Sequence, residues 1–281
     1  MAPSFGERAK IAKDTINRSP KITEEHSTQG ATLDSTFISE QLPPLDPTKC
    51  PNPDHVPVQV EILDSDSFTA ARNIMKDDAE ALGKGKMAVL NLASDSEPGG
   101  GWAFTLSKTQ EEALCYSSTL WTTLRPEYYP WPNVGPKSVA GVFSPGIVVF
   151  KDDLDHDCVD LAVEERRVVS VITVAAPNNP PLTEDEKNFK FEFVLDNLRG
   201  KIRLVYRMAA HNGAQYLVLG AMGCGVYTCP PYLVAEEMKS ILLEKEFKGW
   251  FKKVVFAVYA AGGTGARNLR VFKEVFDGVK V

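Results

Sequence analysis

From residue 58 onward, apolar positions alternate between short runs and helical stripes. VQVEIL (58–63) reads as a strand, and SFTAARNIMKDDAEALG (67–83) as a helix ended by Gly83. MAVLNLA (87–93) and VVSVITVAA (168–176) are continuous apolar runs, as in strands buried on both faces. A helix is expected from about Gln110 to Leu124. VAGVFSPGIVVF (139–150) reads as strand, turn and strand, with Ser144-Pro145-Gly146 as the turn. Thr183-x-x-Glu186 has capping-box spacing. A long helix is therefore expected to open at Thr183, with Val194, Leu198, Ile202, Val205 and Met208 on one apolar face. YLVLGA (216–221) and KVVFAVYA (253–260) are further strands. Pro230 and Pro231 suit the first turn of a helix reaching about residue 246, and NLRVFKEVF (268–276) forms a closing helix. Strands alternating with helices predict an α/β fold with helices on both sheet faces, and the expected hairpin at 139–150 makes the sheet mixed.

Residues 1–55 are patterned differently. RAKIAKDTINR (8–18) forms a short amphipathic helix with Ile11, Ala12 and Ile16 on one face. A polar stretch follows, then the proline-dense QLPPLDPTKCPNPDHVP (41–57), which precludes helix. This segment cannot bury a core of its own. It reads as an accessory extension, 1–55, ahead of a domain spanning 56–281, and no internal repeat is visible.

Composition narrows the chemistry. A hydrophobic fraction of 43% and a charged fraction of 24% are those of an ordinary globular protein. No apolar run reaches the length of a membrane span, and the N-terminus lacks a signal-peptide core. A cytoplasmic or nuclear location without membrane contact is therefore expected. The net charge is −6 and no Lys/Arg-rich run occurs, which argues against direct DNA binding. The five cysteines form no C-x-x-C and the four histidines lack zinc-site spacing, so no metal and no cofactor is expected.

Three glycine-rich loops stand where strands end, the place at which open α/β sheets bind ligands. They are Pro98-Gly99-Gly100-Gly101, Gly220-Ala-Met-Gly223-Cys224-Gly225-Val226-Tyr227, and Gly262-Gly-Thr-Gly265. Glycine permits close backbone approach, and successive N–H groups can cradle a phosphate; the same loops are also compatible with plain tight turns. None matches G-x-G-x-x-G or the lysine-containing P-loop. Gln110-Glu111-Glu112 follows the first loop. Ser107-x-x-Gln110 and Thr109-x-x-Glu112 both fit a capping box, so Glu112 could simply cap its helix. A helix N-terminus favours ionised carboxylate, so an acid there needs burial or a neighbouring anion, such as a pyrophosphate, to hold its proton.

Three glycines, the spacer WAFTLSKT and Gln110-Glu111-Glu112 together resemble the signature of the microbial-type poly(ADP-ribose) glycohydrolases, which are built on a macrodomain. VLNLAS (89–94), SPGIVVF (144–150), AAPN (175–178), LGAMGCGVYTCPP (219–231) and the N-terminal RAKIAKDT also resemble family segments, in the same order. The resemblance implies a macrodomain-like three-layer α/β/α fold with a mixed central sheet. It implies Glu112 as the acid that protonates the ribose–ribose oxygen. Glu111 would orient the terminal ribose and Asn91 would contact it. Gly99, Gly100 and Gly101 would approach the pyrophosphate and ribose, and Gln110 completes the substrate-binding signature. Gly223, Cys224, Gly225 and Val226 would wrap the phosphates, with Tyr227 packing against the ligand. Adjacent helical residues diverge by about 100°, so the two glutamates cannot form the facing pair of a common glycosidase. The implied partners are poly(ADP-ribose) and poly(ADP-ribosyl)ated proteins, with ADP-ribose as product; the acidic charge balance suits exo action at a compact terminal site better than a groove tracking a polyanion. The alternatives are a mono-ADP-ribosyl-protein hydrolase, a non-catalytic ADP-ribose-binding macrodomain, and an α/β domain whose glycines and capping glutamates are purely structural and which binds no ADP-ribose. Trp102 and Phe104 in the spacer either pack into the core or line the site mouth. Asp95 and Glu97 put negative charge beside the anion site.

Overall fold

A seven-stranded sheet runs through the computed structural model, which describes residues 2–54, 56–260 and 263–281. The strands are β1 (Thr36–Ile38), β2 (Glu61–Leu63), β3 (Met87–Leu92), β4 (Gly141–Val149), β5 (Arg167–Val174), β6 (Tyr216–Leu219) and β7 (Lys253–Ala257). Their spatial order is β1-β4-β5-β3-β6-β7-β2. Only β4 runs against its neighbours, pairing antiparallel with both β1 and β5; the remaining pairs are parallel. The helices are α1 (Phe5–Glu25), α2 (Ser67–Asp77), α3 (Trp102–Thr105), α4 (Gln110–Ser117), α5 (Glu192–His211), α6 (Pro231–Leu242) and α7 (Gly265–Val275).

Alternation along β3 decides the layers. Met87 and Val89 point to one face and pack with Ala12 of α1, Phe68 and Ala71 of α2, and Leu114 of α4. Ala88 and Leu90 point to the other and pack with Leu198 and Val205 of α5, Val234 and Met238 of α6, and Phe272 of α7. Both faces are covered, which is why β3 and β5 are mostly apolar, the polar Asn91 and Thr173 lying towards their carboxyl ends. The result is the expected three-layer α/β/α arrangement around a mixed sheet.

The sheet is mixed for a different reason from the expected hairpin. Residues 141–149 form one strand, and Ser144-Pro145-Gly146 is a bulge in its pairing with β5 rather than a turn. Proline cannot donate to a ladder, and it sits where the register shifts. A β-carbon on Gly146 would lie 2.2 Å from the Gly30 carbonyl oxygen, and Gly146 accepts a hydrogen bond from Thr32 N–H at 3.0 Å. The bulge thus lets the N-terminal segment cross the strand. That segment is woven into the domain: β1 is the sheet's edge, and Thr15 of α1 bonds the Tyr116 carbonyl at 3.0 Å.

Two helices also differ from expectation. The long helix opens at Glu192, not Thr183. Asp185 accepts the Thr183 hydroxyl and Lys187 N–H, and Glu186 takes a φ of 56°, so local side-chain bonds close a tight loop instead. Helix α4 stops at Ser117, because Ser118 is extended and turns its hydroxyl to the Leu114 carbonyl at 2.7 Å. A separate 3-10 turn then covers Leu120–Thr123. No described helix is long and apolar enough to cross a membrane.

Candidate active site

The parallel strands deliver their carboxyl ends to one edge, and the glycine turn after β3 lies there. Gly99, Gly100 and Gly101 have φ of 61°, 63° and 75°, left-handed values that disfavour any other residue. Their close contacts give the second reason for glycine. A β-carbon on Gly100 would lie 2.7 Å from Glu112 Oε1 and 3.2 Å from Glu111 Oε2. The turn is therefore folded directly against the carboxylate doublet.

Helix α4 presents Gln110, Glu111 and Glu112 in its first turn. Gln110 was expected to meet substrate, but its amide is spent on the protein. Its oxygen accepts Leu92 N–H at 2.8 Å, and its nitrogen donates to the Leu90 carbonyl at 2.8 Å and to Ser67 Oγ at 3.1 Å. It clamps α4 to β3 and so fixes where the glutamates point. Glu111 is 2% exposed. Its Oε1 accepts Asn91 Nδ2 at 3.0 Å and its Oε2 accepts Ser94 N–H at 2.7 Å. Asn91 also donates to Thr173 Oγ1 at 3.2 Å, and its own Oδ1 is buried without a partner among the described residues. Glu112 is 5% exposed. Its Oε2 accepts the Thr109 hydroxyl, in place of the backbone bond a capping box requires. Among the described residues no donor reaches its Oε1.

Burial pushes Glu111 up to about 8, and the charge of Glu112 adds to it, against the opposing bonds from Ser94 and Asn91. The folded chain therefore holds this proton more tightly than the unfolded chain. The associated stability is fully present below the ordinary value of 4.5 and is lost as pH rises through about 8. A decline in wild-type Tm is accordingly expected between about pH 5 and 8, and Glu111→Gln is expected to flatten it. Parallel melting curves for the two proteins across that range would remove Glu111 as its source.

The second glycine loop reaches the first through a side chain. Tyr227 Oη donates to Asp95 Oδ1 at 3.0 Å, joining residues 223–229 to the segment just before the glycine turn. Gly223, with φ 74°, packs against Ala176 and Cys229; a β-carbon there would lie 2.5 Å from Ala176 Cβ. Gly225 and Val226 are exposed and Tyr227 is half-buried. Among the described residues the N–H groups of Gly225, Val226 and Tyr227 meet no acceptor, so three successive donors are available to an anion. Cys224 is buried, and burial raises its thiol well above the ordinary value, which leaves it a poor nucleophile. Its carbonyl instead accepts Asn268 Nδ2 at 3.0 Å and Thr264 Oγ1 at 3.5 Å, so the third glycine loop braces the second. Gly262 of that third loop lies outside the described residues.

Several residues here carry no sequence signal. Tyr129 has a buried hydroxyl without a partner among the described residues, and burial followed by the charge of Glu111 raises its phenol. Asn133 and Lys201 gather at the ends of the strands from distant positions. Proximity in the chain could have flagged only Thr109. The spacer aromatics divide: Trp102 is fully buried against Tyr116 and Trp121, whereas Phe104 is mostly exposed. Asp152, Asp153 and His156 form a cluster with metal-ligand types, but Asp152 pairs with Arg72 and Asp153 caps the turn at His156.

Comparison with known proteins follows the same lines. Residues 7–152 match the family described as Microbial-type PARG, catalytic domain. The poly(ADP-ribose) glycohydrolase (PARG) of Thermomonospora curvata superposes with a TM-score of 0.74 at 28% identity, covering 95% of this chain and 98% of that chain. The same protein bound to the inhibitor ADP-HPD gives 0.72 at 28% identity, with coverages of 95% and 98%. The Deinococcus radiodurans PARG in complex with ADP-ribose gives 0.64 at 31% identity, covering 79% of this chain and 85% of that chain. No curated protein matches the chain in sequence.

Proposed function

This chain belongs to the microbial-type PARG catalytic-domain family, and from that membership we propose that it hydrolyses the ribose–ribose bond of poly(ADP-ribose), with Glu112 as general acid, and releases ADP-ribose from chain ends. The observation that carries the assignment is the difference between the two glutamates. Both oxygens of Glu111 are taken by Asn91 and Ser94, which fix its carboxyl in place beside Glu112. Glu112 Oε1 is left without a donor beside the Gly100 backbone, where a glycosidic oxygen could meet it.

The chemistry is that of an acid-assisted glycoside hydrolysis. Glu112 gives its proton to the glycosidic oxygen as the C1–O bond breaks and positive charge spreads over the ribose ring. The leaving ribose departs as an alcohol. The Glu112 carboxylate then takes a proton from the attacking water, whose oxygen bonds to C1, and the enzyme returns to its starting state. The carboxylate that Glu112 becomes on giving up its proton favours the oxocarbenium-like transition state, and the donors at Gly225–Tyr227 hold the diphosphate.

Exo action rests on charge. A chain of net charge −6 with no basic run suits a compact terminal site better than a groove tracking a long polyanion. With polymer labelled at its protein-distal end, free labelled ADP-ribose is expected from the first time points while long chains persist. Early accumulation of labelled oligomers would reverse the exo assignment.

A further inference from the structure

Two buried charges near the site have no part in the reaction so far: Asp95, 7% exposed, and Lys201, with no exposed surface. Asp95 is a paradox in an anion site, since a bare carboxylate there would repel a diphosphate. Its surroundings resolve this. Asp95 Oδ1 accepts Tyr227 Oη at 3.0 Å and Asn133 Nδ2 at 2.9 Å. Asn133 Nδ2 also donates to the Ala176 carbonyl at 2.9 Å, and Asn133 Oδ1 accepts Asn178 N–H at 2.7 Å. Lys201 Nζ, projecting from α5, donates to the carbonyl of Asn133 and to that of Ala175 at 2.8 Å. The loop closes on itself, because Asn179 N–H donates to the Tyr227 carbonyl at 3.0 Å.

A buried ammonium is costly unless hydrogen-bonded and countercharged. Here it ties down two carbonyls, and its charge offsets Asp95 across Asn133. We propose that Lys201, Asn133 and Asp95 are positioning residues that lock Tyr227, and with it the N–H groups of Gly225–Tyr227, into diphosphate-binding geometry. The ligand half of this inference rests on the function proposed above; the loop-locking half does not. The relay joins five segments that are far apart in sequence, around residues 95, 133, 175–179, 201 and 227.

The test uses the full chain and two readouts. Amide hydrogen exchange over residues 223–229, without ligand, reports the lock. Calorimetry with ADP-ribose reports its use. Asp95→Ala and Tyr227→Phe are each expected to speed exchange in this loop and weaken ADP-ribose binding by about tenfold, the worth of a lost hydrogen bond to a charged group. The double variant should be no weaker than the weaker single variant, since both remove one link. Asp95→Asn keeps an acceptor oxygen for Tyr227 but removes the charge that balances Lys201, and should weaken binding by less than Asp95→Ala does. Multiplying effects in the double variant, or unchanged loop exchange in Asp95→Ala, would overturn the relay. If the wild type binds no ADP-ribose but Asp95→Ala and Tyr227→Phe release the loop non-additively, the lock stands and the proposed function falls.

Discussion

Glu112→Gln is expected to lower turnover of poly(ADP-ribose) by about a thousandfold while leaving ADP-ribose affinity within about threefold, the range for loss of a positioned acid. Glutamine keeps the volume of the side chain and an oxygen to accept the Thr109 hydroxyl. It removes only the transferable proton and the carboxylate that later takes one back. Product affinity should survive because the Gly225–Tyr227 donors are untouched. Single-turnover kinetics and calorimetry on the same preparation separate the two effects. Full turnover in this variant would exclude Glu112 from the mechanism, and lost binding with the chemistry intact would make it a binding residue.

Gly100→Ala is expected to reduce turnover by about a hundredfold or more, through geometry rather than chemistry, as misplacing a reacting group by about 1 Å does. At φ 63° an alanine is strained, which costs on the order of 1 kcal/mol. Its β-carbon would also stand 2.7 Å from Glu112 Oε1, so either the carboxylate or the turn must shift. Gly6→Ala is the control: apart from its own helix backbone and chain neighbours, nothing lies within 4 Å of its added carbon, and turnover should be unchanged. Kinetics of both variants beside their Tm values check the claim. Normal turnover in Gly100→Ala would mean the glycine turn does not position Glu112.

The layers of this fold could be read from the apolar runs, because strands such as β3, covered on both faces, leave little other option. The glycine turn and the glutamate doublet were also legible, since both lie within sixteen residues, 97–112. What could not be read depends on distant partners. Pro145 and Gly146 look like a turn until Gly30–Thr32 is seen crossing them. Thr183 and Glu186 look like a cap until Asp185 competes for the same donors. Gln110 looks like a substrate ligand, but a strand twenty residues away takes its amide. Lys201 sits on the apolar stripe of a helix in sequence, and only the convergence of the carbonyls of Asn133 and Ala175 gives it a purpose. Local spacing reports groups that act together within one turn or loop. It is silent where strand ends gather groups from several loops.

The most direct test of the central claim is a timed incubation of wild type and Glu112→Gln with poly(ADP-ribosyl)ated protein, following free ADP-ribose and the bond left on the protein. The account predicts ADP-ribose release by the wild type alone, with the final protein-linked unit remaining. No release by the wild type from polymer that a known glycohydrolase digests would contradict it, as would removal of the protein-linked unit in place of the ribose–ribose bonds.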